Sequence, residues 1–145
     1  MSTITNHTFY NCVQSLFDTL IDVSEGYKLL LDRAAPNARP FIAEVAQQHE
    51  TAIEKIDAIA TANGMELDRS GTLMSEIHKV AVRLRDLVTD IDRDALDAIA
   101  RGEENVIKRY DDAIECLSPD DDLHAELIAE RDALRNSIEK ISEAA

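Results

Sequence analysis

A long amphipathic segment in the second half of the chain constrains the fold most. From Asp94 to Leu117 the apolar residues recur every three or four positions, the spacing that lines them up along one face of an α-helix. One position on that face is a carboxylate, Glu103. A carboxylate that faces a protein core must be paired, protonated or bound to a metal. The segment therefore predicts a helix that is buried on one side and has a polar site in its middle.

Apolar residues recur at the same spacing along most of the chain. No segment alternates with the period of two that a half-buried strand requires, so the chain is predicted to be all-α. Its length of 145 residues is typical of a single domain, here residues 1–145. Asn37 is the predicted N-cap of the second long helix and Ser118 that of the last one. The predicted helices span about residues 6–33, 38–63, 72–91, 94–117 and 119–143.

The lengths of the connections predict how the four long helices pack. Short loops join the first helix to the second and the third to the fourth, and a connection of roughly 30 residues joins the two hairpins. This pattern predicts an up-down-down-up four-helix bundle, with the short helix at 72–91 forming a crossover. Each long helix also has a polar residue on its inward face, and counting at 1.5 Å per residue places them all within about 7 Å along the bundle. These inward residues are Ser24, Tyr27, His49, Glu103 and Glu130.

The charge of the chain excludes two classes of partner. Fifteen basic and 29 acidic residues give a net charge of −14, so the chain has no basic surface for nucleic acid or anionic lipid. No apolar run approaches the roughly 20 residues of a membrane span. The sequence thus predicts neither nucleic-acid nor membrane binding.

The cysteines and the N-terminal residues favour a cytoplasmic location. Residues 1–12 lack the basic start and apolar stretch of a secretory signal. Cys12 and Cys116 form no Cys-x-x-Cys motif, and the helix count puts both at the same end of the bundle. They are predicted to lie near each other as reduced thiols, the usual state in the cytoplasm.

Three short motifs stand in a fixed order in the first helix, at the crossover and in the third long helix. They are Glu25-Gly26-Tyr27, Ser70-Gly71-Thr72-Leu73 with His78, and Arg101-Gly102-Glu103 with Tyr110. In their order and spacing the chain resembles the ferritin-like superfamily. It is more closely similar to a bacterial family of ferritin-like domains of unknown function, family 2383. The resemblance covers about Leu16 to Ile141; it implies the four-helix bundle and brings no established activity.

The sequence departs from the di-iron proteins of that superfamily. Those proteins take a Glu from each of two helices and Glu-x-x-His from each of the other two. Here Ala46 stands where the Glu before His49 should be, and Ala133 stands where the His after Glu130 should be. A complete di-iron centre is therefore not expected. One imidazole and two carboxylates remain, and these are the ligand types of a mononuclear iron or manganese site: His49, Glu103 and Glu130.

Two interpretations of function stay open. In the first, the protein binds a single iron or manganese ion in the bundle core and has a redox or stress role. In the second, His49, Glu103 and Glu130 form a hydrogen-bonded, metal-free cluster, and the bundle acts as a scaffolding or protein-interaction module. The sequence contains no nucleophile–base pair, phosphate-binding loop or zinc motif, so it does not decide whether the protein is an enzyme. A homodimer is also expected, because the crossover leaves bundle faces that a second subunit could cover.

Overall fold

The computed structural model describes residues 3–69 and 95–145, and it describes side chains from residue 10 onward within those ranges. These residues form four α-helices and no strand, which confirms the all-α prediction. The predicted crossover helix at 72–91 lies outside the described residues, as do the Ser70–Leu73 motif and His78. The helices are α1 (Thr3–Leu31), α2 (Arg39–Ala62), α3 (Leu96–Cys116) and α4 (Asp122–Ala144).

The four helices pack as a bundle in which every neighbouring pair is antiparallel. α1 packs against α2 and α3, and α4 packs against the same two helices from the other side. Cys12, near the start of α1, is bonded to Cys116 at the end of α3, so these two helices run in opposite directions. Gln48 of α2 contacts Ser137 of α4, and Glu44, earlier in α2, pairs with Lys140, later in α4, so these two helices are antiparallel as well. The predicted up-down-down-up four-helix bundle is confirmed.

The core is built from the apolar faces that the periodicity predicted. Each helix buries a stripe of Leu, Ile, Val and aromatic side chains, and burial of each of the larger ones contributes about 1.5–3 kcal/mol to stability. The largest side chains that are fully buried are Tyr27, Tyr110, Phe17, Leu16, Leu20, Leu30, Ile42, Ile56, Leu96, Ile99 and Leu127.

Local hydrogen bonds fix the helix ends. After α2, Gly64 has a positive φ of 78°, and the N–H groups of Gly64 and Met65 donate to the carbonyls of Thr61 and Ala60 in the pattern of a Schellman motif. The N-cap of α2 is Ala38, whose side chain makes no capping bond, rather than the predicted Asn37. The carboxylate of Asp121 caps α4 by accepting from the backbone N–H of Leu123 at 2.9 Å.

The start of α4 shows why the second predicted cap was wrong. Ser118 was predicted as the N-cap, but α4 begins at Asp122. The Ser118 carbonyl accepts from the N–H of Asp121 at 2.9 Å, and its hydroxyl lies 3.4 Å from the N–H of Asp120. Ser118 therefore closes a turn that precedes the helix, and the capping role passes to a residue three positions later.

Cys12 and Cys116 form a disulfide, with their Cα atoms 6.4 Å apart. The sequence placed both residues at one end of the bundle, and the antiparallel packing of α1 and α3 brings them together there. The expectation of reduced thiols was wrong. Neither cysteine of the described chain is free.

The segment after α2 is held against α1 and α2. The side-chain amide of Gln14 both accepts from the backbone N–H of Asp68 and donates to its carbonyl, each at 2.8 Å. Arg69 donates to Asp57 at 2.8 Å and lies over the ring of Phe17. Among the four described helices, none is long and apolar enough to cross a membrane.

Candidate metal centre and polar core

Glu103 is the centre of a hydrogen-bonded cluster in the bundle core. Its side chain is fully buried. The hydroxyl of Tyr27 donates a short hydrogen bond to its Oε1 atom. The Nε2 atom of His49 lies 2.9 Å from Oε1 and 3.0 Å from Oε2. Helices α1 and α2 therefore each contribute one polar side chain to a single carboxylate of α3.

The rings of Tyr27 and His49 also pack against each other. Their centroids are 5.8 Å apart, and the ring planes differ by 26°, a stacked arrangement. Burial raises the pKa of the Tyr27 hydroxyl well above its usual value, and the neighbouring Glu103 carboxylate raises it further. Tyr27 thus stays protonated and remains a donor to Glu103 across the physiological pH range.

A second, partly buried pair joins α3 and α4. The hydroxyl of Tyr110 donates to the Oε1 atom of Glu130 at 3.0 Å. Burial raises the pKa of Tyr110 well above its usual value, and the charges of Glu130 and Glu103 act in the same direction. Tyr110 therefore joins α3 to Glu130 of α4 by a hydrogen bond.

Glu130 is only partly satisfied. Its Oε2 atom is buried and has no hydrogen-bond partner among the described residues. Burial raises its pKa from 4.5 to about 9, and Glu126, one turn earlier on α4, raises it as well, whereas Tyr110 and Lys55 act to lower it. Buried polar atoms without a partner are uncommon in folded proteins, and an ion or a water that binds there is a frequent explanation.

A cavity of about 270 Å³ reaches Glu130 from the surface between α2 and α4. His49, Tyr110 and Glu130 lie at its inner end, and alanines and Leu134 form much of its wall. Ala133, where a His would complete the Glu-x-x-His motif, also lines it. Part of the cavity therefore occupies the space that a larger side chain at this position would fill.

The structure brings together only part of the predicted ligand set. His49 and Glu103 are in direct contact, whereas Glu130 bonds to Tyr110 and shares with His49 the lining of the cavity. Within the described ranges, no group of three or more His, Cys, Asp or Glu residues is placed to hold a metal ion. Metal binding by His49, Glu103 and Glu130 stays a prediction.

Sequence reasoning missed one further polar contact in this region. The hydroxyl of Ser137 is buried and donates to the side-chain oxygen of Gln48 at 3.0 Å. Ser137 lies three residues after Leu134 and four before Ile141, so its place on the apolar face of α4 was visible in the sequence. Ser24 was predicted to point inward, and its buried hydroxyl has no partner in the described part of the chain.

The comparisons with known proteins give one match. A family model described as a domain of unknown function, DUF2383, matches residues 9–116. No curated protein matches the chain. No solved structure matches it either.

Proposed function

The chain belongs to the DUF2383 family, whose activity is not established, and we propose that it binds one iron or manganese ion in the polar core of a ferritin-like bundle. The proposed ligands are His49, Glu103 and Glu130. The unpartnered Oε2 atom of Glu130 is the observation that carries the proposal. It is a buried carboxyl oxygen of a residue that, like His49, lines the cavity, and a cation would give it the partner it lacks.

The donor atoms fit such an ion. One imidazole nitrogen and carboxylate oxygens are ligands that iron and manganese accept. His49 Nε2 is nearly equidistant from the two oxygens of Glu103, so the imidazole and the carboxylate already face each other without any rearrangement of α2 or α3. Glu130 can keep its bond from Tyr110, because that bond uses Oε1 and leaves Oε2 for the ion.

When bound, an iron or manganese ion would supply redox chemistry, which suits a stress-related role. The residues of the chain would bind the ion and shield it from water. Tyr27 orients Glu103 through its hydrogen bond, and the buried leucines and isoleucines around the layer exclude water. The cavity between α2 and α4 gives small molecules a path from solvent to His49 and Glu130. The topology of the bundle supports the ferritin-like assignment.

A specific observation favours a second candidate, a metal-free bundle that acts as a scaffolding or interaction module. Tyr27, His49 and Glu103 already satisfy one another, and a fully paired polar cluster is stable without a ligand. In this case Glu130 is a neutral carboxylic acid, because burial and the neighbouring Glu126 both raise its pKa. A homodimer and a cytoplasmic location stay predictions. The disulfide argues against the cytoplasm, where such bonds are rare.

Elemental analysis of purified, untagged protein distinguishes the two candidates. The parent should contain close to one iron or manganese per chain, and the variants His49→Ala, Glu103→Gln and Glu130→Gln should lose it. Glu104→Gln is the matched control, because Glu104 is the exposed neighbour of Glu103. Circular dichroism confirms that each variant is folded. A parent that stays metal-free after anaerobic loading with both ions overturns the metal proposal and supports the metal-free bundle.

A further inference from the structure

The Cys12–Cys116 disulfide lies at the edge of the core, where a thiol from solution can approach it. Cys12 belongs to α1 and Cys116 is the last residue of α3, and both are partly exposed. Val13 and Ala113, close to them in the same helices, are fully buried. Exposed disulfides are more easily reduced than buried ones. The position of this bond therefore suits a covalent link that can be opened and formed again.

The charges around the bond select the thiol that opens it. Four exposed acidic residues precede or follow Cys116 closely in the chain: Asp112, Glu115, Asp120 and Asp122. No Lys or Arg occurs in residues 1–27 or 110–130. Exchange begins when a thiolate attacks one sulfur of the bond, and further negative charge on that reagent is repelled by this end of the bundle. An uncharged or cationic thiol compound is therefore the favoured reductant.

The same part of α1 holds the segment that follows α2. The side-chain amide of Gln14, close to Cys12 in α1, accepts from the backbone N–H of Asp68 and donates to its carbonyl, each at 2.8 Å. The amide also donates to Asp18 at 2.8 Å, which fixes its orientation. Gln14 thus binds both backbone groups of one residue, and Asp68 stays attached to α1 while this part of the helix keeps its place.

The disulfide determines how firmly this part of α1 is held. Tyr10 is only partly buried, and among the described side chains of α1 Val13 is the first that is fully buried. A helix end opens where few buried contacts hold it. The covalent link to α3 prevents such opening at Cys12. When the link is broken, unwinding can proceed from the start of α1 towards Gln14.

We propose that the disulfide is a redox switch that controls the attachment of residues 65–69 to α1. One sulfur of an uncharged or cationic dithiol attacks the bond as a thiolate and forms a mixed disulfide, while the other cysteine leaves as a thiolate and takes up a proton. The second sulfur of the dithiol then displaces the remaining cysteine. The dithiol ends as a disulfide, and its two electrons and two protons reside on Cys12 and Cys116. The reverse exchange, with a disulfide as the oxidant, closes the bond again.

Three monothiols test the selection of the reductant: cationic cysteamine, uncharged 2-mercaptoethanol and anionic 3-mercaptopropionate. The rate at which each opens the bond in the full chain is measured by alkylation and intact mass. It is divided by the rate of the same thiol with a small uncharged disulfide, which removes differences in intrinsic reactivity. At low ionic strength this ratio should fall by about tenfold from the first thiol to the last, and the spread should shrink in high salt. Equal ratios overturn the selection by charge.

Amide hydrogen exchange, followed by NMR, tests the switch itself. With dithiothreitol, an uncharged dithiol, the Asp68 amide should exchange at least about tenfold faster than in the oxidised chain. The Met65 amide donates to Ala60 of α2, so it is the internal control and should change much less. Gln14→Ala should exchange the Asp68 amide fast in both redox states. Gln47→Ala, which replaces an exposed glutamine of α2, is the matched control and should respond like the parent.

Two results would overturn the switch. If dithiothreitol opens the bond only when the chain unfolds, as judged by circular dichroism, the disulfide is a permanent link. If reduction accelerates the Asp68 and Met65 amides equally, it loosens the whole bundle rather than the attachment of residues 65–69. The double variant Cys12→Ser, Cys116→Ser should show the fast Asp68 exchange without any reductant. No residue of the switch is a proposed metal ligand, so these outcomes do not depend on the metal proposal.

Discussion

Among individual residues, the two inward-facing glutamates of the bundle have contrasting environments. Glu103 receives a hydrogen bond from Tyr27 and contacts His49 through both oxygens. Glu130 has one donor, Tyr110, and one oxygen without a partner. Burial disfavours the charged form of Glu130 and so raises its pKa.

The raised pKa of Glu130 makes the stability of the protein depend on pH. Its pKa is about 9 in the folded state against 4.5 for an ordinary glutamate, so between these values the folded chain holds a proton that the unfolded chain has released. Raising the pH therefore destabilises the fold. The stabilisation that this proton provides is lost completely only above the pKa of the folded state. The slope from one such proton is at most about 1.4 kcal/mol per pH unit.

The measurement compares the parent with Glu130→Gln, since an amide resembles the neutral acid. Urea unfolding between pH 5.5 and 8.5 gives the free energy of unfolding of both proteins. As the pH rises, the free energy of unfolding of the parent should fall relative to that of Glu130→Gln. Subtracting one free energy from the other removes the effects of the other titrating groups. A difference that does not change with pH contradicts the raised pKa.

Among the helices, the sequence predicted the apolar faces well and the ends poorly. The helical period alone determines that residues such as Leu96, Ile99 and Val106 share one face, and this period can be read directly from the sequence. The residue that caps a helix depends on where the helical backbone begins, and several neighbouring polar residues can take that position. Near α4 both Ser118 and Asp121 could cap, and the turn after Ser118 decides the outcome. At the end of α2, Gly64 adopts a positive φ that few other residues tolerate.

Gly64 should be the most sensitive residue at the end of α2. A Cβ atom there would meet no other atom within 4 Å, so the cost of substitution is that of the backbone conformation alone. With φ at 78°, Gly64→Ala should lower the free energy of unfolding by about 1–2 kcal/mol, measured by urea denaturation. Gly64→Asn should cost less, because asparagine tolerates the left-handed region better. Equal losses for both variants would contradict this explanation.

At the scale of the whole molecule, the predicted topology determined which side chains could meet. Depth along each helix placed Tyr27, His49 and Glu103 at one level, and they are in contact. The sequence could not predict that Glu130 would bond to Tyr110, because this depends on how α3 and α4 rotate about their axes. It also could not predict the disulfide, since two cysteines at one end of a bundle bond only where their Cα atoms come close enough.

The disulfide should contribute much of the stability of the bundle. It links α1 to α3 across a sequence separation of 104 residues. Closing a loop of that length reduces the entropy of the unfolded chain and stabilises the fold by up to about 4.7 kcal/mol in the chain-entropy model. Treatment with dithiothreitol should therefore lower the urea midpoint of the parent. The double variant Cys12→Ser, Cys116→Ser should have the lower midpoint from the start and should not respond to dithiothreitol. If the oxidised parent and the double variant unfold at the same urea concentration, the disulfide does not stabilise the bundle, and its role is to be sought in the redox state of the two thiols instead.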